Sequence, residues 1–207
     1  LELAAALTEV QVNSTIVQLG SRLMERQLDP VASAMLREYV EDLGVRVFTN
    51  DEVTEINENE DKLLKVSLKS GNAVTANAVV YAIGTRPNTE IAVDAALNCG
   101  RGVKVNDYLQ TSDPSIFALG EIAEHRQKMN GITAAAEQQA DICARFIAGD
   151  PSQFYTGTTP MNILKFPSLD LCSVGIPEIP TNGKGYSEIT FLDREALFYK
   201  KCIIHND

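Results

Sequence analysis

The sequence predicts an α/β chain, on three observations. A strong helix former at 1–10 runs almost directly into a β-branched strand at 14–19, the order found in the second half of a βαβ unit. Three alternating runs, at 52–57, 62–69 and 73–83, then read as an antiparallel meander. An Ala-rich helical run from Gly131 to Gly149 follows a strand-Gly-acid segment at 116–121.

Taken in order, Leu1 to Val10 is helix without a cap or a preceding turn. The strand and Gly-rich loop that begin a βαβ unit are expected upstream, so the chain reads as a piece that lacks them. A missing central strand removes about four or five buried aliphatics at ~1.5–3 kcal/mol each, roughly 10 kcal/mol in sum. That is comparable with a domain's typical ~5–15 kcal/mol. The gap is therefore expected to be filled by another chain, through a homodimer or a domain swap.

Asp29-Pro30 opens the next helix, with Asp as N-cap and Pro at the first helical position. Met35, Leu36, Tyr39, Val40 and Leu43 recur at helical spacing, and Gly44 ends the run. Val45 to Phe48 is a short buried strand. Turns in the meander fall at Asn59–Asp61 and Ser70–Asn72, and Glu55, Glu58, Glu60 and Asp61 form a solvated acidic rim. Ala78 to Ile83 reads as a fully buried strand ending in Gly84, with Pro87 fixing the chain beyond it. A short helix over Glu90–Leu97 and a strand over Val103–Val105 lead to Thr111–Glu124, TSDPSIFALGEIAE. There Ile116–Leu119 reads as a buried strand with Gly120-Glu121 at its carboxyl end, where open α/β sheets seat ligands. Beyond Asp150-Pro151 the composition turns to short strands at 161–166, 169–174, 187–192 and 196–204.

The net charge is −10, with acids concentrated around Asp51 to Asp61, which argues against nucleic acid or an anionic membrane surface as a partner. No apolar run reaches membrane-spanning length, and no secretory signal is expected. Cys99, Cys143, Cys172 and Cys202 are far apart, as expected of reduced thiols in a cytoplasmic protein. Local cysteine motifs for a redox disulfide, an iron–sulfur cluster or zinc are missing, and no metal site is expected.

The run TSDPSIFALGE resembles the second flavin-binding motif of the FAD-dependent pyridine nucleotide-disulfide oxidoreductases. Ala82-Ile83-Gly84-Thr85-Arg86-Pro87-Asn88 is similar to that family's turn between nucleotide and flavin domains. Together with Leu23–Asp29, LMERQLD, the resemblance points to the flavin part of assimilatory NAD(P)H-nitrite reductases and to NADH:rubredoxin reductases. It implies a Rossmann-like three-layer NAD(P)-binding domain with its antiparallel β-meander over 1–84, incomplete at its start. The C-terminal part of an FAD-binding domain over 85–150 and the start of a truncated α+β C-terminal interface domain over 151–207 would follow.

The implied FAD contacts are Gly120, Glu121 and Ile122, with Thr133 and Ala134 at the helix start facing the flavin pyrimidine. Glu137 and Gln138 follow one turn on. The implied NAD(P) contacts are Gln18, Arg22, Val53, Ile83 and Gly84. At the end of the 14–19 strand NAD enzymes place a carboxylate, whereas Gln18 is neutral and Arg22 could pair with a 2′-phosphate, so NADH against NADPH stays open. Hydride transfer between nicotinamide and flavin needs no protein acid or base, so no catalytic side chain is expected and His125 reads as a surface-loop residue.

The resulting expectation is an oxidoreductase that passes hydride from NAD(P)H to FAD and electrons onward. The acceptor would be a sirohaem and iron–sulfur centre or a rubredoxin. A piece lacking both phosphate loops is expected to be inactive alone and to hold either dinucleotide poorly. A nucleotide-sensing or protein-interaction module on the same fold is the alternative.

Overall fold

The computed structural model describes residues 1–166 and 168–206. They form two compact units, one of residues 1–81 with 162–207 and the other of residues 82–161.

In the first unit, helix α1 (Glu2–Glu9) leads to strand β1 (Thr15–Val17), which pairs in parallel with β2 (Arg46–Phe48). Between them runs α2 (Pro30–Asp42), whose start is set by the expected cap: the Asp29 side chain accepts from the Ala32 amide at 2.9 Å. Leu36 and Val40 pack with Leu23, Leu28, Val45 and Val47 into the unit's main core. The meander is β3 (Val53–Glu58), β4 (Leu64–Leu68) and β5 (Ala73–Ala76), antiparallel in that order. Asn59 makes its first turn, with Oδ1 accepting from the amides of Asp61 and Leu63. Val66, Leu68 and Val74 form a second small core beneath Val17, Phe48, Ile56 and Val79.

The C-terminal strands belong to this same unit. Strands β8 (Met161–Phe166) and β9 (Leu169–Val174) pair, and Leu164, Phe166, Leu169 and Leu171 pack on the α2 core. Strands β10 (Tyr186–Asp193) and β11 (Phe198–His205) are antiparallel, in register from Tyr186↔His205 to Asp193↔Phe198. Tyr199 and Lys201 of β11 reach the Asp29 carboxylate at 2.5 and 3.1 Å, so one side chain caps α2 and also ties down the last strand.

In the second unit, α3 (Glu90–Asp94) precedes β6 (Val103–Val105), which pairs in parallel with β7 (Ala123–His125). Helix α4 (Thr133–Ile147) buries Ala135, Gln139, Ile142 and Cys143. Leu109, Ile142, Cys143 and Tyr155 are the core, with Val105 and Phe117 against it.

Two sequence expectations are corrected. The run at 73–83 is a strand only to Ala76, and beyond it Val80, Tyr81 and Ile83 lie in the open. Ile116–Leu119 is not a buried strand either: Phe117 makes a single bridge to Gln110, and Ile116 and Leu119 stay largely exposed. In both cases the apolar run is there but no neighbouring strand among the described residues ladders with it. A strand needs such a partner to satisfy its amides and carbonyls away from water.

Candidate functional site

The residues singled out from the sequence fall in two places, one in each unit. In the first, Gln18 extends the β1 ladder. Its amide donates to the Phe48 carbonyl at 2.8 Å, and its carbonyl accepts from the Asp51 amide at 3.2 Å. Asp51 is buried, and its carboxylate accepts from the Ser70 hydroxyl at 2.5 Å and from the Ser70 and Glu52 amides at 3.1 and 3.0 Å. These donors, the Ser70 hydroxyl foremost, hold the carboxyl below the usual carboxylate range against the opposing effect of burial. The second meander turn is thereby fastened to the carboxyl end of β1. Val53 opens β3 and is partly exposed. Arg22 is half-buried: its guanidinium is paired with the Glu178 carboxylate, and Nη2 also lies 3.5 Å from the Glu25 carbonyl.

Ile83 and Gly84 lie in the second unit, Ile83 with 89% of its surface exposed.

Also in the second unit, Gly120, Glu121 and Ile122 form a 3-10 turn leading into β7. Gly120 has φ +81°, a conformation that a side chain would strain. Its amide donates to Gln139 Oε1 at 2.7 Å, and Gln139 is fully buried on α4, so the turn is pinned to the helix. The Glu121 carboxylate is exposed and rests against Gly131, where a Cβ would lie 2.7 Å from Oε1. Thr133 and Ala134 begin α4, exposed, and Ile132 before them provides no side-chain cap. The first amides of any helix lack intrahelical acceptors and carry its positive end. The structure therefore brings Gly120, Glu121, Ile122, Thr133 and Ala134 together through Gln139 and Gly131. A glycine permitting close backbone approach, an exposed carboxylate for hydroxyl groups and an uncapped helix start for an electron-rich ring edge fit a flavin dinucleotide.

Beside this turn lies a cluster that sequence reasoning missed. His125 is buried rather than a surface-loop residue, because it ends β7. Its Nε2 is 2.8 Å from Asp107 Oδ1, and its ring packs on Tyr155 with centroids 4.9 Å apart. Arg126 grips the same carboxylate through Nε and Nη2, at 3.1 and 2.8 Å. Arg126 first and His125 next hold Asp107 below the usual carboxylate range. The fully buried Tyr155 bonds through its hydroxyl to Asn130 and Thr158, both at 2.9 Å. Thr158 in turn donates to Gln138 at 2.7 Å. Gln138 therefore contacts a neighbouring loop residue. A three-residue strand such as 123–125 is too short to show alternation, so nothing local announced it.

With that geometry in place, comparison with known proteins gives the family. The pyridine nucleotide-disulphide oxidoreductase family model matches residues 1–140, and the rubredoxin NAD+ reductase C-terminal domain model matches residues 160–207. Two Bacillus subtilis proteins are each 32% identical over 207 residues, covering all of this chain. They are an assimilatory nitrate reductase electron transfer subunit, covered over 26% of its length, and a nitrite reductase [NAD(P)H], covered over 25%. A ferredoxin reductase from Rhodopseudomonas palustris superposes with TM-score 0.84 at 25% identity, covering 98% of this chain and 50% of that one. The chain thus spans about a quarter of those two relatives and half of the reductase. It belongs to the pyridine nucleotide-disulphide oxidoreductase family.

Proposed function

We propose that this member of the family is part of an NAD(P)H-dependent flavoprotein oxidoreductase that feeds electrons to a downstream acceptor, as in nitrite reductase. The observation that carries the reading is the turn at Gly120–Ile122, held by Gln139 beside the uncapped start of α4. Bound FAD would accept hydride from the nicotinamide and release electrons onward.

The residues present have binding and orienting work to do. Gly120 lets the backbone approach closely, and Glu121 accepts from flavin hydroxyl groups beside Ile122. The amides of Thr133 and Ala134 meet charge that develops on reduction, worth about 0.3–1 kcal/mol and more where water is excluded. Gln18, Arg22 and Val53 of the first unit are assigned to the nicotinamide nucleotide, as are Ile83 and Gly84 of the second. No side chain is assigned a proton-transfer role.

In this reading residues 1–84 bind nucleotide, 85–150 bind FAD and 151–207 shape the acceptor side. The proposed acceptor is a sirohaem and iron–sulfur centre or a rubredoxin; a relative named nitrite reductase [NAD(P)H] supports a nitrite-reducing acceptor, and the rubredoxin NAD+ reductase C-terminal domain match over 160–207 supports the second. The proposal includes self-association, as a homodimer or a domain swap. A cytoplasmic setting is supported by four cysteines that are all unbridged. No helix among the described residues is long and apolar enough to cross a membrane.

The test is the visible spectrum of the protein in the form its gene encodes, before and after NADH and NADPH. A flavin band that bleaches upholds the proposal. A colourless protein that stays colourless with added FAD overturns it.

A further inference from the structure

We infer that the nucleotide is NADH rather than NADPH, and that Glu178, assisted by Glu25, is the residue that decides it. This deepens the reductase reading above and rests on it. Arg22 follows β1 by a few residues and is the cation the sequence offers to a 2′-phosphate. Its Nη2 is already held by Glu178 Oε1, from the loop between β9 and β10. Its Nε is buried and has no hydrogen-bond partner among the described residues, so only the terminal nitrogens can reach a ligand. Glu178 occupies one of them.

A second carboxylate stands at the same turn. Glu25 folds back against Gly20, where an added Cβ would lie 2.7 Å from its Oε1. Glycine at position 20 therefore makes room for an acid at the carboxyl end of β1, the place where Gln18 fails to supply one. Glu178 thus neutralises the guanidinium the turn would offer a phosphate, and Glu25 stands beside it at Gly20. Carboxylates accept from a ribose 2′-hydroxyl but repel a 2′-phosphate dianion. Specificity then comes from a residue some 150 positions away in sequence, lent by the C-terminal segment of the same unit.

The experiment compares wild type with Glu178→Gln, each as the full protein, in stopped-flow flavin reduction by NADH and by NADPH. Wild type is expected to favour NADH. The substitution is expected to raise kcat/KM for NADPH about tenfold, the effect of removing one charge a few ångströms from a dianion in a solvent-facing site. NADH use should fall rather than rise, because an amide is a poorer acceptor for a ribose hydroxyl than a carboxylate. Equal or better use of NADPH by wild type, or an unchanged ratio in the variant, overturns the inference. If neither nucleotide bleaches a flavin, the reductase reading has failed, and calorimetric binding of 2′,5′-ADP against 5′-ADP to the same two proteins decides separately. A gain of about tenfold for 2′,5′-ADP alone in the variant upholds the role of Glu178. No such gain, including no binding at all, overturns it. Glu178 is half exposed, so the variant folds, and its melting temperature serves as the check.

Discussion

Replacing Asp29 by alanine removes an acceptor that three donors share. The Ala32 amide loses its cap, the Tyr199 hydroxyl its partner, and the Lys201 ammonium one of two carboxylates, with Glu188 left at 3.0 Å. Loss of an N-cap costs about 1 kcal/mol. A half-buried hydroxyl left unpaired costs a further ~1 kcal/mol or more, and the weakened lysine somewhat less. The sum is about 3 kcal/mol, which corresponds to roughly hundredfold faster hydrogen exchange wherever exchange needs this region to open. Peptides from both α2 and β11 should accelerate together, because one side chain serves both. Tyr199→Phe removes a single donor and should accelerate exchange about fivefold. Acceleration in α2 with β11 unchanged, or less than threefold in both, would refute the shared-acceptor reasoning. The pH dependence adds a second check. Burial opposes ionisation of Asp29, but the Tyr199 hydroxyl, the Ala32 amide and Lys201 outweigh it, so its folded pKa lies below the ordinary value. A depressed carboxyl stabilises fully above the unfolded value of about 3.9 and loses that contribution as pH falls through the folded one. The stability gap between wild type and Asp29→Asn should therefore be widest near neutrality and close in acid.

Two further outcomes are expected. Gln139→Leu keeps the volume but strands the Gly120 amide, at a cost of about 1–3 kcal/mol; the full protein should release FAD during gel filtration, whereas exposed Glu137→Gln should retain it. Thiol labelling should separate the cysteines: burial pushes the Cys143 thiol up and hides it, so it should react only on unfolding, while the exposed Cys172 and Cys202 label at once in native buffer.

Much of the fold is visible in local pattern. Asp29-Pro30 marks the start of α2 because a capping carboxylate and a proline act within one helical turn. The strands at 161–166 and 169–174 match β8 and β9 for the same reason, since alternation and turn residues are local signals. Where pattern misled, at 78–83 and 116–119, the apolar residues were read correctly but pairing depends on a partner strand that no local window contains. His125 shows the converse: a polar residue after a short apolar stretch looks like loop, and only the parallel pairing of Ala123–His125 with Val103–Val105 buries it beside Asp107.

The same division runs through the site. Sequence alone established the α/β class, the helix and its cap, the turn glycine and the acid beside it, because each follows from the backbone preferences of a few adjacent residues. Tertiary structure alone decided that Gln139 anchors Gly120, that Tyr199 and Lys201 converge on Asp29, and that Glu178 occupies Arg22. Those are meetings of groups 19 to 172 positions apart, and charge and hydrogen-bonding capacity in a sequence do not say which distant group will satisfy them.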